Sequence, residues 1–327
     1  MFVCAGRNFR VAPETARRYA RSMTSRDIPS RAWAELGLLS LIWGGSFLAI
    51  RTALDEIPVA TSVAYRVGLA ALVLWAYVLV RRLPLPRAPR IWGALLAMGL
   101  LNNVIPFSLM AWGQLHIETG LTSILNAGTA VFGVLAAALF LADESLTLRR
   151  AIGVGLGFFG VATAIGLENL ANFDIRSMAQ IAVVLGTMSY ALAGVWARLR
   201  LQGLAPQVQA AGMLTGSSLV MIPVALWLDG PVVPQEASTI LAVGYYAVIA
   251  TAGAYLLYFR VLAMAGSGNT MLCTLMVAPV AILLGAVLRG EVLSPNVYAG
   301  FALLALGLAL LDGRLLRRLR RGATPGP

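Results

Sequence analysis

Lysine is absent from this 327-residue chain, and all 25 basic residues are arginine. The absence points to GC-rich coding and carries no functional weight. Charge of either sign is scarce: 12% of residues are charged and 59% hydrophobic, against roughly 25% charged in a soluble globular domain. Water is therefore not the main solvent of this protein. Cysteine is nearly absent too, with Cys4 in an arginine-rich tail and Cys273 inside an apolar block, which excludes a disulfide framework. Histidine occurs once, as His116. With no Cys-His or Ser-His-Asp grouping and no set of metal ligands, the sequence offers neither a catalytic constellation nor a metal site, and no cofactor is expected.

What is present is a series of hydrophobic blocks of roughly 18 to 24 residues, long enough to cross a hydrocarbon core of about 30 Å as helices. Read between charge and Pro/Gly punctuation, the blocks fall at about 34–54, 59–80, 91–115, 119–141, 150–167, 178–199, 206–228, 238–260, 268–288 and 296–313. The predicted fold is an all-α membrane protein of ten transmembrane helices. A net charge of +11 would suggest nucleic acid in a soluble protein, but here its location decides. Arginines crowd the N-terminal tail (1–33), the C-terminal tail (314–327) and the segments holding Arg81, Arg82, Arg87, Arg90, Arg149, Arg150, Arg198, Arg200 and Arg260. Only Arg51, Arg176 and Arg289 fall at the opposite ends, with Arg66 inside a span. The positive-inside rule then places both termini in the cytoplasm, in a multi-pass protein of a bacterial inner membrane whose partners are lipid and a small molecule and not nucleic acid. The basic, acid-poor leader lacks the apolar core and cleavage site of a secretory signal, and Met23 is the expected start of translation.

The chain repeats. Shifted by about 147 residues, Trp43 falls on Tyr190, Arg51 on Arg198, Leu125 on Leu272, Glu144 on Glu291, Gly153 on Gly300 and Gly160 on Gly307. Two five-helix units result, 34–167 and 178–313. Because five is odd, the second enters the membrane from the opposite side, giving inverted repeats with N-in/C-in topology. Such a pair can exchange roles and open a midplane site to either side in turn, which is the physics of alternating access.

Three segments carry a family likeness: Ile42-Trp43-Gly44-Gly45-Ser46-Phe47, then Leu141 to Thr147 with Glu144 and the following Gly153, then Ala278-Pro279 with Gly290-Glu291-Val292-Leu293-Ser294 and Gly300. Together they resemble the ten-span EamA-type branch of the drug/metabolite transporter superfamily, over about residues 34 to 313. The resemblance implies a secondary carrier of small metabolites, commonly an exporter of amino acids or related compounds. It departs from the family pattern in one place: Phe132 stands where a proline matching Pro279 would be, so span four is expected to be straighter than span nine.

An ionisable side chain inside a span is costly, roughly 2.5 to 3.5 kcal/mol at a helix centre on insertion scales, so Arg66 in span two is a site candidate. It either meets a substrate carboxylate or is a structural arginine bonded to backbone carbonyls. Other polar groups near the expected midplane are Ser46, Asn102, Asn103, Asn126, Ser189, Thr251 and Thr274, with Trp43, Tyr190, Tyr255 and Tyr258 as aromatic walls. Each is also a candidate for plain helix–helix hydrogen bonding, but a mostly apolar cavity with a few placed polar groups suits a small amphipathic solute. Proton-coupled export of cationic drugs normally needs a carboxylate inside the cavity, and the central parts of the spans offer none, which favours a neutral or zwitterionic solute. Glu144 and Glu291 read as helix-terminus anchors, the glycines of spans five and ten as packing surfaces. The rival readings are a proton- or ion-coupled drug effluxer, a membrane scaffold and a membrane-embedded enzyme. Monomer and homodimer both stay open.

Overall fold

The computed structural model describes residues 30–142, 147–166, 174–265 and 272–312. Met23 with most of the N-terminal tail, the C-terminal tail, and Asp143, Glu144 and Glu168 lie outside the described residues. Among these, ten helical spans follow one another: α1 Ser30–Ala53, α2 Val59–Val80, α3 Pro89–Gly113, α4 Thr119–Phe140, α5 Leu148–Ile165, α6 Ile175–Arg200, α7 Pro206–Leu228, α8 Ala237–Met264, α9 Leu272–Arg289 and α10 Pro295–Asp312. Helices satisfy every backbone polar group within the segment, which a hydrocarbon solvent demands. Proline opens α3, α7 and α10 in their first turn, where its missing N–H has no intrahelical partner to lose.

The packing obeys a two-fold rule. The pairs α2–α7, α4–α9 and α5–α10 each join a helix to its own repeat mate, while α1–α9 has its counterpart in α6–α4, α1–α8 in α6–α3, and α2–α8 in α7–α3. Two inverted copies of one five-helix unit thus share an axis that runs between α2 and α7 and between α5 and α10. Large apolar side chains left outside, such as Leu72, Phe159, Leu219 and Val287, face lipid. Trp227 at the outer end of α7 and Trp33 at the cytoplasmic end of α1 sit where interfacial tryptophans anchor a bundle.

The glycine stripes of α5 and α10 meet each other. A methyl added at Gly300 would stand 2.5 Å from the Ala164 nitrogen and the Gly160 oxygen, and one at Gly160 would stand 2.6 Å from the Leu304 nitrogen. Gly153 and Gly307 repeat the arrangement one step along. Backbone lies against backbone here, as small-residue membrane crossings require.

Span four departs from the sequence expectation. It divides at Gly128, whose N–H turns back to the Leu125 carbonyl at 3.0 Å, while α9 runs unbroken through Pro279. The Thr129 hydroxyl donates to the Asn126 carbonyl at 2.7 Å. Local side-chain bonding of this kind competes with the helical ladder, so glycine and threonine break the helix that Phe132 was expected to keep straight.

Replacing Gly300 with leucine should lower stability by about 1–3 kcal/mol or more, because the obstacle is backbone and cannot move aside. Gly155→Ala, where nothing lies within 4 Å, should leave the thermal midpoint of the detergent-solubilised protein nearly unchanged. Equal midpoints for both variants would contradict the packing account.

Candidate functional site

Two helices open in the middle of the bundle at equivalent places. In α3 the segment Leu100–Val104 is π-helical, and in α8 so is Tyr245–Gly253. The cause in α3 is Pro106: it has no N–H to offer the Asn102 carbonyl, and its ring crowds that oxygen, so the turn widens. Its repeat mate in α8 is Gly253. Carbonyls in and beside the widened turns find side-chain donors. Ser189 Oγ donates to the Leu101 oxygen at 2.7 Å, Trp43 Nε1 to the Ala250 oxygen at 3.1 Å, and Thr251 Oγ1 to the Tyr246 oxygen at 2.7 Å. Three of the sequence-predicted residues therefore hold the widened turns in place.

Arg66 lies between these segments, about 10 Å along α2 from its outer end at 1.5 Å per residue. Its Nε donates to Thr251 Oγ1 at 3.0 Å. The guanidinium carbon sits 3.7 Å from the centroid of the Phe107 ring, a cation–π contact on a desolvated face. The phenols of Tyr190, Tyr255 and Tyr246 are near enough to interact with its charge. Among the described residues no carboxylate reaches it and no backbone carbonyl accepts from it. The Tyr190 ring meets Phe107 edge-on at 6.5 Å, so one aromatic floor underlies the cation.

Beside it runs an amide relay. Asn102 Nδ2 donates to the Tyr255 hydroxyl at 3.0 Å, the Tyr255 hydroxyl to Asn103 Oδ1 at 3.2 Å, and Asn103 Nδ2 to Ser217 Oγ at 2.9 Å. Asn103 and Ser217 are fully buried and act as internal ties, whereas Asn102 and Tyr255 are half-buried. Trp43 and Tyr258 form a second aromatic wall, ring centroids 5.9 Å apart. The Ser46 hydroxyl turns back to the Trp43 carbonyl of its own helix at 2.7 Å. Thr274 is half-buried on α9. Asn126 stands half-buried at the break in α4, and its side-chain amide has no hydrogen bond among the described residues. Sequence reasoning passed over Phe107, Ser217 and Tyr246. Tyr246 and Ser217 carry the signal of polar atoms deep in apolar runs, but Phe107 is recognisable only from its place under Arg66.

The repeats differ where the cluster sits. The mates of Arg66, Thr251, Phe107 and Tyr255 are Met213, Val104, Ala254 and Ser108. One side of the pseudo-axis carries the charge and the other is neutral, with Met213 Sδ 3.8 Å from Asn102 Nδ2. A groove of about 790 Å³ lies elsewhere, on the lipid-facing side between α2 and α7, walled by residues such as Leu72, Leu219, Ile222 and Val233. Its apolar lining and outward aspect match an acyl-chain environment, and it has no part in the polar cluster.

At the outer end, polar contacts tie the helices together. Asp55, in the turn just past α1, joins Arg51 of α1 at 2.6 Å and Arg289 on α9 at 2.9 Å. Glu118 joins Arg176 at 2.7 Å, and Asp229 accepts from both the N–H and the hydroxyl of Thr61. Glu291 accepts from the N–H groups of Thr119 and Gly120 at 3.0 and 3.2 Å, capping the positive end of α4. Gly290 reaches φ 65° to turn the chain there, and Gly285 leaves no room for a side chain beneath the carboxylate. Glu291 is thus the anchor the sequence suggested. At the cytoplasmic end, Glu35 bridges α1 to α8 through Arg260 at 2.5 Å.

The description of an EamA-like transporter family fits the chain twice, over residues 33–166 and 177–311. This chain belongs to that family. The transporter is 29% identical over 298 residues to a probable terminal-alkyne amino-acid exporter of Streptantibioticus cattleyicolor, covering 90% of this chain and 97% of the relative. It is 24% identical to a probable amino-acid metabolite efflux pump of Salmonella typhimurium, covering 87% and 96%, and 24% identical to the inner membrane transporter YedA of Escherichia coli, covering 84% and 88%. A solved crystal structure superposes with a TM-score of 0.63 at 19% identity, over 88% of this chain and 99% of that one, a likeness of fold. The protein is a multi-pass inner-membrane transporter of small metabolites.

The Asp55 tie of this transporter persists at physiological pH. Burial alone would raise the Asp55 carboxyl, but Arg289 and Arg51 outweigh it and hold it below the usual carboxylate range. A depressed folded value stabilises above the unfolded one and is lost as pH falls through the folded value. The thermal midpoint gap between wild type and Asp55→Asn should therefore stay constant from about pH 5 to 8 and shrink below about pH 4. A gap that closes near neutrality would contradict the Asp55 assignment.

Proposed function

We propose that this transporter exports amino acids or closely related zwitterions by alternating access, with Arg66 receiving the substrate carboxylate. The observation that carries the proposal is a half-buried guanidinium, held at one nitrogen by Thr251 and on one face by Phe107, with no carboxylate partner among the described residues. A cation in that setting is costly unless something neutralises it, and its remaining N–H groups offer the two-pronged geometry that suits a carboxylate. Asn102 and Tyr255 stand beside it to orient the rest of the molecule. Trp43, Tyr190 and Tyr258 supply apolar surface for a side chain, and Ser46, Asn103, Asn126, Ser189 and Thr274 complete the proposed lining and its support. The names of the two amino-acid relatives agree with this substrate class. A cationic drug would meet like charge at Arg66, which weighs against the effluxer reading. The chain is proposed to act as a carrier and not as an enzyme or scaffold.

Proteoliposomes preloaded with an amino acid test the proposal by counterflow. Uptake should be saturable, should be inhibited by the amino acid, and should ignore the corresponding decarboxylated amine. Arg66→Ala should weaken apparent affinity by about tenfold or more, as expected for losing a charge-assisted pair, and Arg66→Lys should restore only part of it because a lysine cannot bind in two prongs. Equal handling of acid and amine by the wild type would refute the substrate class.

A further inference from the structure

The two copies of the repeat are not closed to the same degree. Phe47 on α1 is buried, while its mate Gly194 on α6 is exposed, with open space where a side chain would project. Met110 on α3 is buried and its mate Leu257 on α8 is half-buried. Gly113 is packed against Val183 and the Ala179 carbonyl, but Arg260, its mate, is exposed. Ile117 is 4% exposed and Met264 is 36% exposed. Other mates, such as Leu54 and Leu201, are buried alike. The unequal positions fall at the outer ends of α1 and α3 and at the cytoplasmic ends of α6 and α8. Among the described residues the outer place is thus packed more closely than its cytoplasmic equivalent.

That packed outer end is built with polar groups left short of partners. Gln114, just past α3, is 1% exposed; its Nε2 donates to the Phe47 carbonyl of α1 at 2.9 Å, and its Oε1 has no hydrogen bond. Near it in the fold, Thr119 at the start of α4 and Gln180 on α6 are buried with Thr119 Oγ1 and Gln180 Oε1 in the same condition. A buried acceptor without a donor forfeits its hydration. Water entering an opened outer vestibule would restore it. The mate of Gln114 at the cytoplasmic end is Val261, which makes no such demand.

We infer that Gln114 is the positioning residue of the outer gate: its half-satisfied amide lowers the cost of opening outward, against the Asp55–Arg289 tie that holds the gate shut. The inference rests on the alternating-access reading proposed above, and it assigns opposite signs to two kinds of substitution. An apolar residue at 114 removes the demand for water and exposes hydrocarbon on opening, so it locks the gate. A more strongly hydrated residue eases opening.

The test uses the full chain with Cys4 and Cys273 replaced by alanine and Ile117→Cys as a reporter, in right-side-out membrane vesicles treated with a membrane-impermeant maleimide. Gln114→Met, close in length to glutamine, should slow labelling by about fivefold or more relative to Gln114, the range set by an unpaired buried acceptor. Gln114→Glu should speed it. In export assays normalised to the amount of folded transporter, Gln114→Met should lower the maximal rate and leave the half-saturating cytoplasmic substrate concentration unchanged, a loss per folded molecule that a merely structural lesion would not give. Gln114→Leu is the second apolar variant should Gln114→Met fail to fold. Unchanged labelling, or faster labelling with an apolar residue, would overturn the inference, the latter showing that the bond to Phe47 holds the gate shut. Because labelling needs no substrate, correct labelling without amino-acid export would refute the substrate proposal alone.

Discussion

A guanidinium set deep in a hydrocarbon layer constrains everything near it. Arg66 carries a charge whose transfer from water is expensive, and the fold supports it with one hydroxyl and one ring face. Thr251 can accept that bond because its own proton goes to the Tyr246 carbonyl within the widened turn of α8. Phe107 can lie beneath the cation because α3 widens just before Pro106 and continues. The π segments, the aromatic floor and the amide relay of Asn102, Tyr255 and Asn103 all serve the placement of a single charge.

That placement also breaks the symmetry on which the fold is built. The inverted repeats share their backbone plan down to the glycine contacts of α5 and α10, where close approach leaves no freedom for divergence. Around Arg66 the mates are methionine, valine, alanine and serine, so the first repeat supplies a charge that the second does not mirror, and both supply its neutral surroundings. At the membrane surfaces the copies part again. The Arg51, Asp55 and Arg289 tie has Arg198, Gln202 and Ala142 as its cytoplasmic mates, which contain no carboxylate. Duplication explains the architecture, and the departures from it mark the working parts.

Much of the fold was legible because bilayer thickness, arginine placement and a fixed offset are properties of the chain read as a line. The ten spans, the inverted repeat, the anchoring role of Glu291 and the packing role of Gly153, Gly160, Gly300 and Gly307 all followed from them. What escaped was whatever depends on which helices meet. Phe107 is an ordinary apolar residue until Arg66 is laid over it. Gln114 lies at the edge of a span and signals nothing until its burial against α1 is known. Glu35 lies at the very start of the first apolar block and signals nothing until α1 is seen to meet Arg260 of α8. The break in α4 depends on Gly128 and Thr129 acting together and not on a proline. Of the candidate residues, Arg66, Asn102, Tyr190, Thr251 and Tyr255 gather in one place, Trp43 and Tyr258 form a neighbouring wall, and Asn126 stands at the break in α4.

The central claim is that Arg66 awaits a carboxylate, and ligand-induced stabilisation measures it without any assumption about direction or coupling. A solute that binds the folded protein must raise its thermal midpoint. Across a panel of amino acids and their decarboxylated amines, the detergent-solubilised protein should be stabilised by one or more acids and by none of the amines, and Arg66→Ala should lose that response while remaining folded. Stabilisation that persists undiminished in Arg66→Ala, or that amines reproduce, would contradict the account.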